Sequence, residues 1–203
     1  MKNSMLTLLS AVAIIACKKK ETMVVTQSTD STVVSVPSDS GMTVTDSITV
    51  STTRDVKKLL SDQDKKFAEN AAIGGMMEVM MGKLASENAE NANVKTLGKM
   101  MVNDHTKAND ELAKWASGMG YTLPTGLDRE KQKKYDELKT KKGAEFDKMY
   151  ADFMVSDHKE DIKEFKKEAS EGSESALKSF AGNTLPTLEH HLMESQKVKE
   201  IVK

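Results

Sequence analysis

From Asp55 onward, apolar residues recur every three or four positions, which is the spacing of one face of an α-helix. Ser61 or Asp62 can cap a first helix running to about Asn88, with Phe67, Ala71, Gly74, Glu78, Met81 and Ala85 on its inner line. A second helix is predicted from about Asn91 to Met119 and is closed by Gly120. Its line is Val94, Leu97, Met101, His105, Ala108, Leu112, Trp115 and Met119. A short, very polar helix over about 128–142 ends at Gly143, and a third long helix follows from Ala144 to about Glu171. On that helix Met154, His158, Ile162, Phe165 and Ala169 share a face. The last helix starts near Ser173 and carries Leu177, Phe180, Thr184, Leu188, His191, Ser195, Val198 and Val202. Pro186 lies inside it, where the missing N–H should kink the helix rather than end it. Four long amphipathic helices with such seams predict an all-α fold, a four-helix bundle with one extra short helix, over residues 57–203.

Upstream the pattern is different. Lys2 precedes an apolar run, Met5 to Ala16, which is shorter than the ~20 residues a membrane-spanning helix needs but suits a signal peptide. The run ends Ile14-Ile15-Ala16-Cys17, which resembles the lipobox of bacterial lipoproteins. Residues 1–16 are therefore expected to be removed and Cys17 to be lipidated, several acyl chains giving a stable membrane anchor at ~0.8 kcal/mol per buried methylene. Cys17 is the single cysteine, so no intramolecular disulfide can form. Residues 17–56, rich in Ser, Thr, Val and Asp, are expected to form a flexible, disordered tether spanning roughly 35 Å. Thr43 to Val50 alternates weakly but has no strand to pair with. Lys18 rather than Asp follows the cysteine, so the expected address is the outer membrane, facing the periplasm.

Composition narrows the function. With 30 basic and 31 acidic residues and no one-sided basic stripe, the chain gives no reason to expect nucleic acid as a partner. The sequence offers no Gly-x-Ser-x-Gly turn, no phosphate-cradling loop and no cysteine nucleophile, and the expectation is that the protein is not an enzyme. The ferritin-type Glu-x-x-His motif is absent too: Val102, Val155 and Leu188 stand three residues before the histidines.

The chemistry that remains is a polar layer. Glu78, His105, His158 and His191 sit on otherwise apolar lines, each near the middle of its helix, so packing should bring them to one height in either direction of the third long helix. One reading is a metal site for a single zinc, copper or iron ion. Asp161 and Glu194, one turn beyond His158 and His191, would then hold the second ring nitrogens. The other reading is a core hydrogen-bond network that fixes helix register in a structural or protein-interaction module with an unknown partner. Small residues near Glu78, Ala71, Gly75 and Gly82, suggest space or close approach. The methionines at 76, 77, 80, 81, 100 and 101 read as core filling, with Cu(I) ligation as the rarer alternative. His190 falls off the seam.

Several segments together resemble the domain of unknown function 4142 family. They are Ala72-Ile73-Gly74-Gly75-Met76-Met77-Glu78-Val79, Met101-Val102-Asn103-Asp104-His105, Gly143-Ala144-Glu145-Phe146-Asp147, Asp157-His158 and Leu185-Pro186-Thr187-Leu188-Glu189-His190-His191-Leu192. The resemblance runs from about Ser61 to the C-terminus. It implies a ferritin-like helical bundle in the bacterial envelope, often the outer membrane, and it implies no reaction.

Overall fold

The computed structural model describes residues 60–203. The signal peptide, Cys17, the tether and the weakly alternating Thr43 to Val50 lie outside those residues. Five helices follow in order: α1 Asp62–Asn88, α2 Ala92–Met119, α3 Arg129–Lys139, α4 Gly143–Glu171 and α5 Ser175–Ile201. Ser61 caps α1 in a reciprocal box with Asp64, its side chain accepting from the Asp64 N–H. Asn91 caps α2, and Gly120 ends that helix at φ 62°, where a side chain would be strained.

Two boundaries differ from the sequence expectation. α3 stops at Lys139 because the Thr140 and Lys141 amides fold back onto the carbonyls of Glu137 and Leu138. Gly143 opens α4 instead of closing α3. α5 starts at Ser175 because the Ser173 and Glu174 amides are drawn to Asp64, while the Glu174 side chain accepts from Leu177 N–H at 2.6 Å. Pro186 lies within a helix that continues to Ile201.

The packing also settles the direction of α4. Asn91 N–H donates to Asp147 near the start of α4, at 2.8 Å, and the Asn88 amide reaches the Lys139 carbonyl. At the other end Gln63 donates to Glu168 and Ser173 to Asp64. α4 therefore runs antiparallel to α1, and the α2–α4 connection, which contains α3, is the long crossover that returns the chain along the bundle. α1 packs on α2 and on α4, and α5 packs on α4 and on α2. α1 and α2 touch closely at one point: a Cβ on Gly82 would meet the Gly98 carbonyl at 2.6 Å. The cost of a mid-helix glycine, about 1 kcal/mol, is the cost of that approach.

The core falls into two apolar clusters. One surrounds Met77, Met81, Leu97, Met101, Phe146, Tyr150 and Met154 at the α1–α2 turn; the other surrounds Phe67, Leu112, Phe165, Leu177, Phe180 and Leu188 at the opposite end. Each fully buried Leu, Met or Phe contributes about 1.5–3 kcal/mol. Met77, Met81 and Met101 are part of this packing. Among the described residues no helix is long and apolar enough to cross a membrane.

Candidate metal centre

Between the two clusters the helices bring together one carboxylate and three imidazoles. His105, on α2, lies between Met101 and Leu112; His158, on α4, between Met154 and Phe165; and His191, on α5, between Leu188 and Val198. Glu78 faces them from α1, and all four side chains are buried. His105 Nδ1 lies 2.8 Å from Glu78 Oε2, and His158 Nε2 lies 3.4 Å from Glu78 Oε1 and 3.2 Å from His191 Nδ1. One ring nitrogen of each histidine lies within 4.8 Å of the other two.

The surroundings fix the protons. His158 Nδ1 is 2.9 Å from the Met154 carbonyl, which can only accept, so that nitrogen carries hydrogen. His191 Nε2 is 3.1 Å from Asp104 Oδ2. Burial pushes the Asp104 carboxyl up, but the hydrogen bond from His191 and the charges around it outweigh burial and keep it ionised below its ordinary range. His191 Nε2 therefore donates. Burial lowers the pKa of His105 to about 4, of His158 to about 3 and of His191 to about 4, so the rings are neutral at pH 7. The consequence is that His158 Nε2 and His191 Nδ1 each present a lone pair to the other across 3.2 Å. His105 Nε2 and Glu78 Oε1 are buried with no hydrogen-bond partner.

A second acidic group adjoins the first. Asp157 and Asp161 on α4 each place an oxygen within 4.8 Å of a Glu78 oxygen. Burial raises the pKa of Glu78, and the nearby Asp157 charge raises it further. Asp161 is raised by burial, Glu78 and Asp157, and Asp157 by burial against the opposing Lys131. A pocket of about 20 Å³, room for one water, lies beside Glu78, His105, Asn109 and Asp161.

Two sequence expectations are corrected. Asp161 makes no hydrogen bond to His158, whose second nitrogen is taken by its own helix backbone; Asp161 turns toward Glu78 instead. Glu194 does not hold His191: it pairs with Lys197 at 2.6 Å and lies near His190 on the outer surface, while Asp104 from α2 holds His191. The periodicity gave no signal for Asp104 or Asp157, because each points about 100° away from its neighbouring histidine. Asp104 instead meets a ring on another helix, and Asp157 lies under α3 beside Lys131.

Comparison with known proteins agrees with the fold. The family model described as "Domain of unknown function (DUF4142)" matches residues 50–198. The chain is also similar to the crystal structure of a DUF305 fragment from Deinococcus radiodurans, with a TM-score of 0.62 at 9% identity. That likeness covers 70% of this chain and 97% of the fragment and shows the shared helical fold alone. No curated protein matches the chain. With the family model spanning most of its length, the chain belongs to the DUF4142 family, a domain of unknown function.

Proposed function

We propose that this protein is an envelope lipoprotein whose bundle holds one transition metal ion on His105, His158 and His191, with Glu78 beside it. The observation that carries this reading is the placement of His158 Nε2 and His191 Nδ1 3.2 Å apart, while Met154 O and Asp104 face the other nitrogen of each ring. Two bare acceptors at that distance repel, and a cation between them removes the repulsion. Two nitrogens on one tetrahedral ion, each bound at 2.0–2.1 Å, are roughly 3.3 Å apart, close to the spacing present. Each ring is oriented through its other nitrogen or a neighbouring acid, in the manner of metal-bound histidines: His158 by Met154 O, His191 by Asp104, His105 by Glu78. Imidazole ligands suit zinc, copper or iron. The lipobox at Cys17 supports a lipid anchor at the outer membrane, facing the periplasm.

The protein purified without a histidine tag should contain close to one equivalent of metal, lost in His158→Ala and His191→Ala. Metal-free wild type whose stability is indifferent to chelator and to added zinc contradicts the reading.

A second reading, a non-enzymatic interaction module with a polar core network, draws on the 2.8 Å contact between His105 and Glu78, which already satisfies one ring nitrogen. It predicts that histidine substitutions destabilise the fold and leave metal content unchanged. For the address, Cys17→Ser should release the chain from the membrane fraction; retention there contradicts lipidation at Cys17.

A further inference from the structure

Three carboxyl groups meet beside the histidine layer, with Lys131 and Lys134 of α3 facing them from the cleft side. Lys131 Nζ is 3.8 Å from Asp157 Oδ1. Asp157 is 5% exposed and Glu78 1%, yet Asp157 Oδ2 and Glu78 Oε1 have no hydrogen-bond donor. A buried carboxylate in a settled network is saturated with donors. Here two oxygens without donors belong to a cluster whose members reach within 4.8 Å of one another. Asp161 links this cluster to solvent, since it lines both the small mid-bundle pocket and a cleft of about 740 Å³ between α1, α3 and α4. The cleft wall also carries Lys131, Lys134, Lys163 and Lys167 beside Glu160 and Glu164.

We propose that Glu78, Asp157 and Asp161 form a second cation site, distinct in chemistry from the imidazole site and sharing Glu78 with it. Its ligands are all oxygen, so it takes a hard divalent cation of the Mn²⁺ or Mg²⁺ kind, with water completing the coordination shell from the cleft side. The trio brings three carboxyls within 4.8 Å of one another with two buried oxygens unpartnered, and a divalent ion among them gives those oxygens a common partner. Glu78 then bridges two ions of different preference. The site stands on its own observations and does not require the imidazole site to be filled.

Mn²⁺ is the probe, read by loss of the free-ion signal in electron paramagnetic resonance on the full chain without a tag. Wild type should bind one equivalent, with and without one equivalent of zinc present. Asp157→Asn and Asp161→Asn should each weaken Mn²⁺ binding by at least about tenfold while leaving zinc content unchanged. His191→Ala should lose zinc and keep Mn²⁺. Because the Asn variants are isosteric and stay neutral in the buried layer, their metal-free melting temperatures should match or exceed wild type, which separates lost binding from lost folding. Mn²⁺ left free by wild type overturns the proposal, as does equal binding by wild type and both Asn variants, the signature of surface carboxylates. Mn²⁺ bound and lost in the Asn variants in a protein that takes no zinc would sustain this site and remove the imidazole reading.

Discussion

Two buried polar centres hold this bundle, and they are finished to different degrees. At the end opposite the α1–α2 turn, Asp64 accepts from Ser61 N–H at 3.1 Å, from Ser61 Oγ at 2.7 Å, from Ser173 N–H at 2.9 Å and from Glu174 N–H at 3.3 Å, with Ser173 Oγ also in contact. Burial acts against the charge, but these donors, Ser173 and Ser61 foremost, hold the carboxyl well below its ordinary range. This is how a structural buried acid looks: one side chain ties the start of α1 to the start of α5, with its oxygens supplied with donors. At mid-height the opposite holds. Two lone pairs face each other, and His105 Nε2, Glu78 Oε1 and Asp157 Oδ2 have no partners. Glu168 Oε1, beside Asp64, also lacks a partner; what sets the middle layer apart is that three imidazoles and three carboxyls converge there.

The largest expected effect tests the finished centre. Asp64→Ala should cost roughly 2–4 kcal/mol, because it strands donors at two helix starts, and it should leave metal affinity unchanged. Denaturant unfolding and metal titration of the same sample check both halves.

The middle layer should respond in the other direction. In metal-free protein, His158→Leu should be neutral or stabilising by up to about 2 kcal/mol, since it removes facing acceptors and fills the space with apolar volume. Wild type at a hundredfold excess of zinc over its dissociation constant should gain about 2.7 kcal/mol, and the variant should gain nothing. A loss of stability in metal-free His158→Leu would place the layer in the same class as Asp64.

Asp104→Asn should act more mildly. It keeps the shape but weakens the hold on His191, lowering metal affinity about 10–100-fold, with little change in metal-free stability. Zinc titration by calorimetry reads the difference.

A further test lies in the pH dependence of metal-free protein. The folded pKa of His191, about 4, lies below the unfolded value of about 6.5, so the unfolded chain takes up the proton first. The neutral ring's contribution is complete above pH 6.5 and is lost as pH falls toward 4. The stability difference between His191→Leu and wild type should therefore move in favour of leucine across that window. Asp64 should not contribute to it, since its folded value lies below its unfolded one and both are more acidic than the window.

Much of this was legible in single-helix periodicity. The four long helices were readable because apolar spacing reports which face is buried, and Glu78, His105, His158 and His191 stood out as polar positions on that face near helix midpoints. Partners across helices were not readable. Asp104 belongs to His191 only because α2 packs beside α5, and Asp157 is buried only because α3 lies over α4 with Lys131 reaching down. Spacing alone puts Asp161 and Glu194 beside His158 and His191, but one turn along a helix is not enough to tell which neighbour a side chain meets. The direction of α4 depended on the crossover through α3, a polar helix whose own pattern says little about where it docks.

X-ray absorption at the zinc edge of the stoichiometrically loaded protein tests the central claim most directly. Three imidazole nitrogens at about 2.0–2.1 Å, with the multiple-scattering signature of histidine reduced in His191→Ala, is the predicted result. A shell of oxygen ligands alone, unchanged in that variant, would contradict it.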